Sequence, residues 1–332
     1  MLKILAQSNE TANVGNDIYM ANIVRCLHGV LPPEASVITK PLIRSFALSR
    51  ALNKLGAFAF NASKIVDISR PLALDFDLVV ISGPRVSNTG EGAETFIKFM
   101  KYLKERNTPY ALLSCGSYNY GLEERDFWCK VFEKYPPLIF STRDDYTYDT
   151  YGQFAKYSLK SVCTSLFSSI NFPITKKVSL VGCWDDNENF TYDQISKWID
   201  AEGFGGNYRY RAIVDPFALG NVIKLKVAKS PIPCLISLSY MDYLDYYSQT
   251  SMMFSSRVHC CAPVLSYGGE AVLLNKTGRK RLFDAIGVES RPLPSNKQLN
   301  IFSLNPENIR QRYDEFTNFL KNSLSDYFSS FH

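Results

Sequence analysis

The chain carries three histidines in 332 residues. One of them, His259, stands two positions after Arg257 in the stretch Ser255-Ser256-Arg257-Val258-His259-Cys260-Cys261-Ala262-Pro263. An apolar run, Met252-Met253-Phe254, precedes it. A guanidinium grips a phosphate or carboxylate through parallel N–H groups. An imidazole titrates near neutrality and passes a proton. A strand ending at Phe254, followed by a helix, would set both side chains near a helix N-terminus, which itself favours an anion. Proline is tolerated in a helix only within the first turn, so Pro263 puts the expected start near Cys260. Arg257 and His259 would then lie in the connection. The competing reading is a histidine packed and hydrogen-bonded in the core.

Other segments offer groups of the same kind. Gly15 and Asn16, in Asn13-Val14-Gly15-Asn16-Asp17, stand just before an expected helix, where glycine lets backbone approach a ligand; as a turn and N-cap they would do no chemistry. Gly83-Pro84-Arg85 opens a polar loop running to Gly90, a composition used for binding when it follows a strand. Arg143-Asp144-Asp145-Tyr146-Thr147 follows another strand and reads either as an anion grip or as a structural ion pair. Eight cysteines occur and none forms a Cys-x-x-Cys pair, so a structural zinc site has no support. Buried free thiols of a reducing compartment are expected, with Cys260-Cys261 as packing.

These residues need elements to hold them. Short apolar runs alternate with helical patterns. Strands are expected at Lys3–Ala6, Ser36–Thr39, Lys64–Ile68, Leu78–Ser82, Tyr110–Cys115, Pro137–Thr142 and Ser161–Phe167, with helices at Asp17–His28, Leu42–Leu55, Gly92–Arg106 and Glu123–Lys134. The continuous apolar run Leu78-Val79-Val80-Ile81 marks a strand covered on both faces, as in a parallel sheet. A second cycle begins after Phe172-Pro173: strands at Lys177–Cys183, Tyr210–Val214, Pro233–Leu238, Met252–Phe254 and Glu270–Leu274, with helices at Thr191–Ala201, Pro216–Ala228, Met241–Ser248 and Arg279–Ile286. The alternation argues for doubly wound α/β units in succession. The expected divisions are 1–170, 171–300 and a C-terminal amphipathic helix in 301–332, capped by Asn305 with Pro306 at its first position. In such sheets ligands sit beyond the carboxyl ends of the strands, where the candidate segments fall.

Composition bounds the rest. An apolar fraction of 46% supports sizeable cores and argues against disorder. The net charge of +5 suits anionic small molecules and falls short of a dedicated nucleic-acid binder. The N-terminus turns polar within ten residues and no run approaches a membrane span, so a soluble cytoplasmic protein is expected. Arg279-Lys280-Arg281 suggests at most peripheral contact with an anionic polymer or lipid headgroups, and three charges make a weak patch. Oligomeric state is not legible.

Taken together, Ser256-Arg257-Val258-His259, a small-residue helix, Gly268-Gly269, a strand, and Arg279-Lys280-Arg281-Leu282-Phe283-Asp284-Ala285-Ile286-Gly287 resemble the C-terminal signature of the polysaccharide pyruvyl transferase family. Arg143-Asp144-Asp145-Tyr146-Thr147 is similar to its Arg-Asp-x-x-Thr/Ser element, Val162-Cys163-Thr164-Ser165-Leu166-Phe167 to its Gly-Cys-Pro-Ser-Leu run, and Gly15-Asn16 to its Gly-Asp. Gly83-Pro84-Arg85 stands where the family has a glycine triplet. The order agrees over about residues 1–290. The resemblance implies a glycosyltransferase-B-like fold of two Rossmann-type domains facing a cleft. It implies transfer of pyruvate from phosphoenolpyruvate, as co-substrate, to a sugar or glycan acceptor, without metal or further cofactor. Arg257 would hold the donor's anionic groups and His259 would act as acid or base. Arg143 and Arg85, from the first-domain side, and Gly268 and Gly269 would help bind the donor's anion, Arg209 and Arg211 being weaker candidates. Gly15, Asn16, Gly83, Asp144 and Glu270 would contact the acceptor or line the cleft. Two alternatives stand beside this: a nucleotide-sugar glycosyltransferase, with Glu270 near the ribose, and a non-catalytic glycan-binding relative.

Overall fold

The computed structural model describes residues 2–8, 14–41, 76–87, 91–183, 190–212, 230–237, 239–274, 281–284 and 287–329. The chain divides into two compact units. One comprises Met1–Ala12, Tyr19–Cys163 and Glu315–His332; the other comprises Asn13–Ile18 and Thr164–Asp314. Each is built on one sheet with helices, the α/β class with parallel Rossmann-like strands expected of a glycosyltransferase-B-like fold. The expected elements Leu42–Leu55, Lys64–Ile68 and Pro216–Ala228 lie outside the described residues.

In the first unit the strands are β1 (Lys3–Ser8), β2 (Ser36–Pro41), β3 (Leu78–Ser82), β4 (Arg85–Val86), β5 (Tyr110–Ser117), β6 (Ile139–Thr142) and β7 (Tyr157–Lys160). They run in the order β2-β1-β3-β5-β6-β7, with β4 pairing the end of β5, and every pair is parallel. All five residues of β3 and all eight of β5 are buried, as their unbroken apolar runs require of strands covered on both faces. The helices are α1 (Val14–Val30, whose residues up to Ile18 belong to the second unit), α2 (Glu91–Glu105), α3 (Leu122–Lys134) and α4 (Asp145–Tyr151). One face of the sheet packs Val79, Ile81, Leu112 and Phe140 against Phe96, Met100, Trp128 and Phe132 of α2 and α3.

The second unit holds β8 (Leu180–Cys183), β9 (Tyr208–Ala212), β10 (Cys234–Leu235), β11 (Thr250–Ser255), β12 (Glu270–Leu273), β13 (Glu289–Leu293) and β14 (Asn296–Ser303), in the order β10-β9-β8-β11-β12-β14-β13. The strands from β8 to β12 pair in parallel, and β14 and β13 add an antiparallel edge. Its longer helices are α5 (Tyr192–Ala201), α6 (Tyr240–Gln249), α7 (Val258–Ser266) and α8 (Pro306–Ser329), the last belonging to the first unit from Glu315. Thr191 and Gln194 close a reciprocal capping box on α5. Asn305 Oδ1 accepts from Glu307 N at 2.9 Å at the start of α8, and Ile309, Phe316, Leu320 and Leu324 are buried along it.

Two expectations are corrected. Ser161–Phe167 is not a strand: Tyr157–Lys160 pairs with β6, and Thr164–Phe167 forms a buried 3-10 turn. A short apolar run does not by itself separate a buried turn from a buried strand. The hairpin β13–β14 was not among the expected elements. Pro292 is accommodated because β13 is the sheet's edge strand.

Candidate active site

The strand order of the second unit reverses between β8 and β11. Parallel sheets open a ligand crevice beyond the carboxyl ends of the strands at such a switch point. Arg257 follows β11 there. Its backbone is extended (φ −106, ψ 116), its N–H donates to Ser255 Oγ at 3.0 Å, and it is the N-cap of α7. The helix therefore begins at Val258, two residues before the expected start, and His259 lies in its first turn rather than in the connection. Pro263 sits inside the helix. It has no N–H to give the His259 carbonyl four residues back. Packing makes good the loss, since eight of the nine helix residues are buried. The Cys260 and Cys261 N–H groups converge on the Arg257 carbonyl at 3.0 and 3.3 Å.

The charge pattern at this helix end is inverted. Its first turn has no acidic residue and its N-cap has no side-chain cap bond. A cation near a helix N-terminus opposes the dipole by about 0.3–1 kcal/mol. The same dipole favours a bound anion at this end, which a guanidinium can also grip. The adjacent thiols are packing: Tyr247 OH donates to Cys260 Sγ at 3.3 Å, and burial pushes the Cys261 thiol well up. Arg211 reaches the same edge of the sheet. It is 7% exposed and stands in register with Cys183, at the carboxyl end of β8. Arg209 is instead taken by Ser196 and Asp200 of α5.

Three candidates fall at the opposite end of α7. Gly268 has φ +80 in the turn that ends the helix, and a Cβ on Gly269 would lie 2.5 Å from the Thr250 carbonyl oxygen. Both are glycines for backbone reasons. Gly268 borders a cavity of about 350 Å³ with Ser169, Thr175 and Tyr267. Glu270 opens β12 at its amino end and pairs with Arg291 at 3.2 Å, which also holds Glu202 at 3.1 Å. At about 1.5 Å per residue, nine helical residues separate this end from Arg257 by roughly 13 Å.

In the first unit, Arg143 follows β6 and is 4% exposed. Its Nε and Nη1 are buried without a hydrogen-bond partner, which does not favour the ion-pair alternative for this segment. Burial works against the charge; Tyr19, Cys163, Tyr120 and Asp144 oppose that and hold its pKa above the usual value. Asp144 is occupied as the N-cap of α4: Oδ1 accepts from Thr147 N and Thr147 Oγ1, each at 2.8 Å. Thr147 Oγ1 in turn accepts from Ser117 N at 2.8 Å. The Arg-Asp-x-x-Thr segment thus splits into an arginine with open N–H groups and a cap that fixes its backbone.

Gly83 (φ +56) lies under Tyr19, whose Cε2 would be 2.3 Å from a Cβ at that position. Arg85 is in register with Gly116. Gly15 and Asn16 lie buried in the first turn of α1, which starts three residues before the expected Asp17, and they belong to the same unit as Arg257 and His259.

Several site residues were missed from sequence. A Cβ on Gly116 would lie 2.4 Å from Arg143 Nε, so this glycine makes room for the guanidinium. A glycine closing a long apolar run was the available signal. Glu124, 1% exposed, accepts from Tyr118 N, Asn119 N and Tyr120 N at 3.1, 2.9 and 3.3 Å. Nothing in a surface-type Glu-Glu pair announces that role. Among the described residues no group of three or more His, Cys, Asp or Glu is placed to hold a metal, and no helix is long and apolar enough to cross a membrane.

Comparison with solved structures agrees on the fold. MnaA from S. aureus in a co-structure with UDP superposes with a TM-score of 0.53 at 12% identity, over 95% of this chain and 87% of that one. UDP-GlcNAc 2-epimerase from Neisseria meningitidis bound to UDP-GlcNAc gives 0.52 at 12%, over 97% and 94%. The Methanocaldococcus jannaschii UDP-GlcNAc 2-epimerase in complex with UDP-GlcNAc and UDP gives 0.52 at 10%, over 98% and 92%. A search of curated proteins returned no match. The family profile described as Polysaccharide pyruvyl transferase matches residues 13–275, a span running from the first turn of α1 through both arginine sites to the end of β12. The chain belongs to the polysaccharide pyruvyl transferase family.

Proposed function

We propose that the chain moves the pyruvyl group of phosphoenolpyruvate onto two hydroxyls of a sugar in a polysaccharide or glycan precursor, giving a cyclic ketal and free phosphate. The balance is simple. The donor's CH2 carbon gains a proton and becomes methyl. C2 gains cationic character and bonds one sugar oxygen. The C2–O bond to phosphate then breaks, and the second sugar oxygen takes its place. Of the two hydroxyl protons, one ends in the methyl group and one on phosphate or solvent.

The observation that carries this reading is the amino end of α7, where Arg257 and His259 stand at a switch point with no acid in the helix's first turn. The donor bears a phosphate and a carboxylate. A guanidinium together with helix N–H groups matches such an anion. An imidazole in the first turn beside it can pass the proton. The buried, open N–H groups of Arg143 offer a second anion grip.

The test is phosphate release from phosphoenolpyruvate with glycan acceptors. His259→Ala is expected to keep its thermal midpoint and to lose roughly 10²-fold or more in rate, the usual scale for a general acid or base. Unchanged turnover removes His259 from the mechanism. UDP-GlcNAc is the comparison donor, because the solved relatives of this fold were captured with it or with UDP. Turnover of UDP-GlcNAc and not of phosphoenolpyruvate would move the reading to a glycosyltransferase.

A further inference from the structure

The loop between β5 and α3 is built as a rigid support for exposed aromatic surface. Glu124 is almost fully buried, yet its carboxylate faces no cation among its hydrogen-bond partners. It gathers three successive backbone N–H groups, those of Tyr118, Asn119 and Tyr120. Tyr120 is held in the left-handed region at φ 56, a conformation that a non-glycine residue adopts rarely. Its ring meets Tyr146 edge-on at 5.3 Å, and its hydroxyl points to Asp144 Oδ2 at 3.5 Å. Tyr118 at the head of the loop is 46% exposed, and Asn119 beside it is exposed. Folding gains less by fixing the backbone under a half-exposed side chain than under a buried one.

The loop leaves the carboxyl end of β5, the edge where ligands bind in parallel sheets. Gly116, two residues before Tyr118, makes room for Arg143. An exposed aromatic face, a side-chain amide and a buried guanidinium with open N–H groups therefore lie at one strand end. Ligand sites combine apolar and aromatic walls with a few fixed polar groups in this way. A pyranose ring has the matching chemistry: one face of C–H bonds and a rim of hydroxyls.

We propose that Tyr118, Tyr120 and Tyr146, with Asn119, form the acceptor-sugar subsite, the Tyr118 ring stacking on the sugar's C–H face while Glu124 holds the loop in place. This rests on the pyruvyl-transfer reading only in naming the sugar as acceptor; sugar binding is measured without the donor.

The experiment uses saturation-transfer NMR on the whole chain with the methyl glycosides of glucose, galactose, N-acetylglucosamine and N-acetylmannosamine at millimolar concentration. The wild-type protein is expected to transfer saturation to at least one of them. Tyr118→Ala should weaken that glycoside's binding about fivefold or more, and Tyr118→Phe should restore it, since stacking needs the ring and not the hydroxyl. Tyr208→Ala, at the exposed amino end of β9, serves as the control and should bind as wild type. Thermal midpoints of all variants should coincide, because these rings are exposed. Retention of binding in Tyr118→Ala, or no transfer to any glycoside from the wild type, overturns the subsite. Stabilisation by phosphoenolpyruvate, measured alongside, should be the same in Tyr118→Ala and wild type. Glycoside binding lost in Tyr118→Ala without any response to phosphoenolpyruvate in the wild type upholds the subsite and removes the donor assignment.

Discussion

Arg143→Met should make the protein more stable and less active. The guanidinium is 4% exposed, and two of its N–H-bearing nitrogens have no partner. A buried polar group left unsatisfied costs about 1–3 kcal/mol. Arginine has no escape by losing its proton, since its pKa stays above about 12 in proteins. Burial alone would lower that value, and the residues around Arg143 hold it up instead. Replacing buried ionic groups by apolar side chains of similar volume is neutral or stabilising by about 1–4 kcal/mol. A gain of about 2 kcal/mol raises the midpoint of a unit this size by about 4–8 °C. Differential scanning calorimetry without ligand reads the gain, and phosphate release reads the loss, expected at roughly 10²-fold from a missing anion grip. A variant that is destabilised by more than about 1 kcal/mol while turning over normally would refute the reasoning, for Arg143 would then serve the fold.

Gly116→Ala should reduce turnover by about 10²-fold, because its Cβ would stand 2.4 Å from Arg143 Nε and must push the guanidinium aside; wild-type kinetics with a folded variant would contradict this. Glu270→Ala should leave turnover unchanged and lower stability by no more than about 1 kcal/mol, since it removes one partly exposed pair with Arg291; a large kinetic effect would return Glu270 to the site. Burial raises the Asp144 carboxyl above its usual 3.8, against the bonds from Thr147 and the charge of Arg143. A raised folded-state value favours the protonated form, so the wild type should lose stability as pH rises from about 3.8 through that value. Asp144→Asn keeps an accepting oxygen for the cap and should lack this fall; denaturant titrations at pH values rising from 3.8 decide it, and parallel pH profiles would sink the assignment.

What was legible in the sequence was what period and sterics encode. Leu78–Ser82 is a buried parallel strand, as its unbroken apolar run rich in β-branched residues favours, and Pro306 begins α8 because its missing N–H is harmless there. Pro263 misled for an instructive reason. The rule confining proline to the first turn weighs one lost hydrogen bond against local propensity, whereas α7 is buried nearly all round and tertiary packing outweighs that bond. Arg257 and His259 were visible as types and spacing. Their place near a helix N-terminus was legible too; that this helix stands at a switch point came only with the strand order. Gly268, Gly269 and Glu270 are neighbours of the site in sequence and not in space, because a nine-residue helix carries the chain to the far edge of the sheet. The open N–H groups of Arg143 and the burial of Glu124 depend on contacts between residues far apart in the chain, which no local pattern records.

Thermal stabilisation by phosphoenolpyruvate, compared between wild type and Arg257→Ala, tests the central claim most directly. A ligand that binds only the folded state adds about 2.7 kcal/mol at a hundred times its Kd. The wild type should therefore show a concentration-dependent rise in midpoint with phosphoenolpyruvate and none with UDP-GlcNAc, and Arg257→Ala should lose that rise. No response of the wild type to phosphoenolpyruvate, or an equal response in the variant, would contradict donor binding at the amino end of α7.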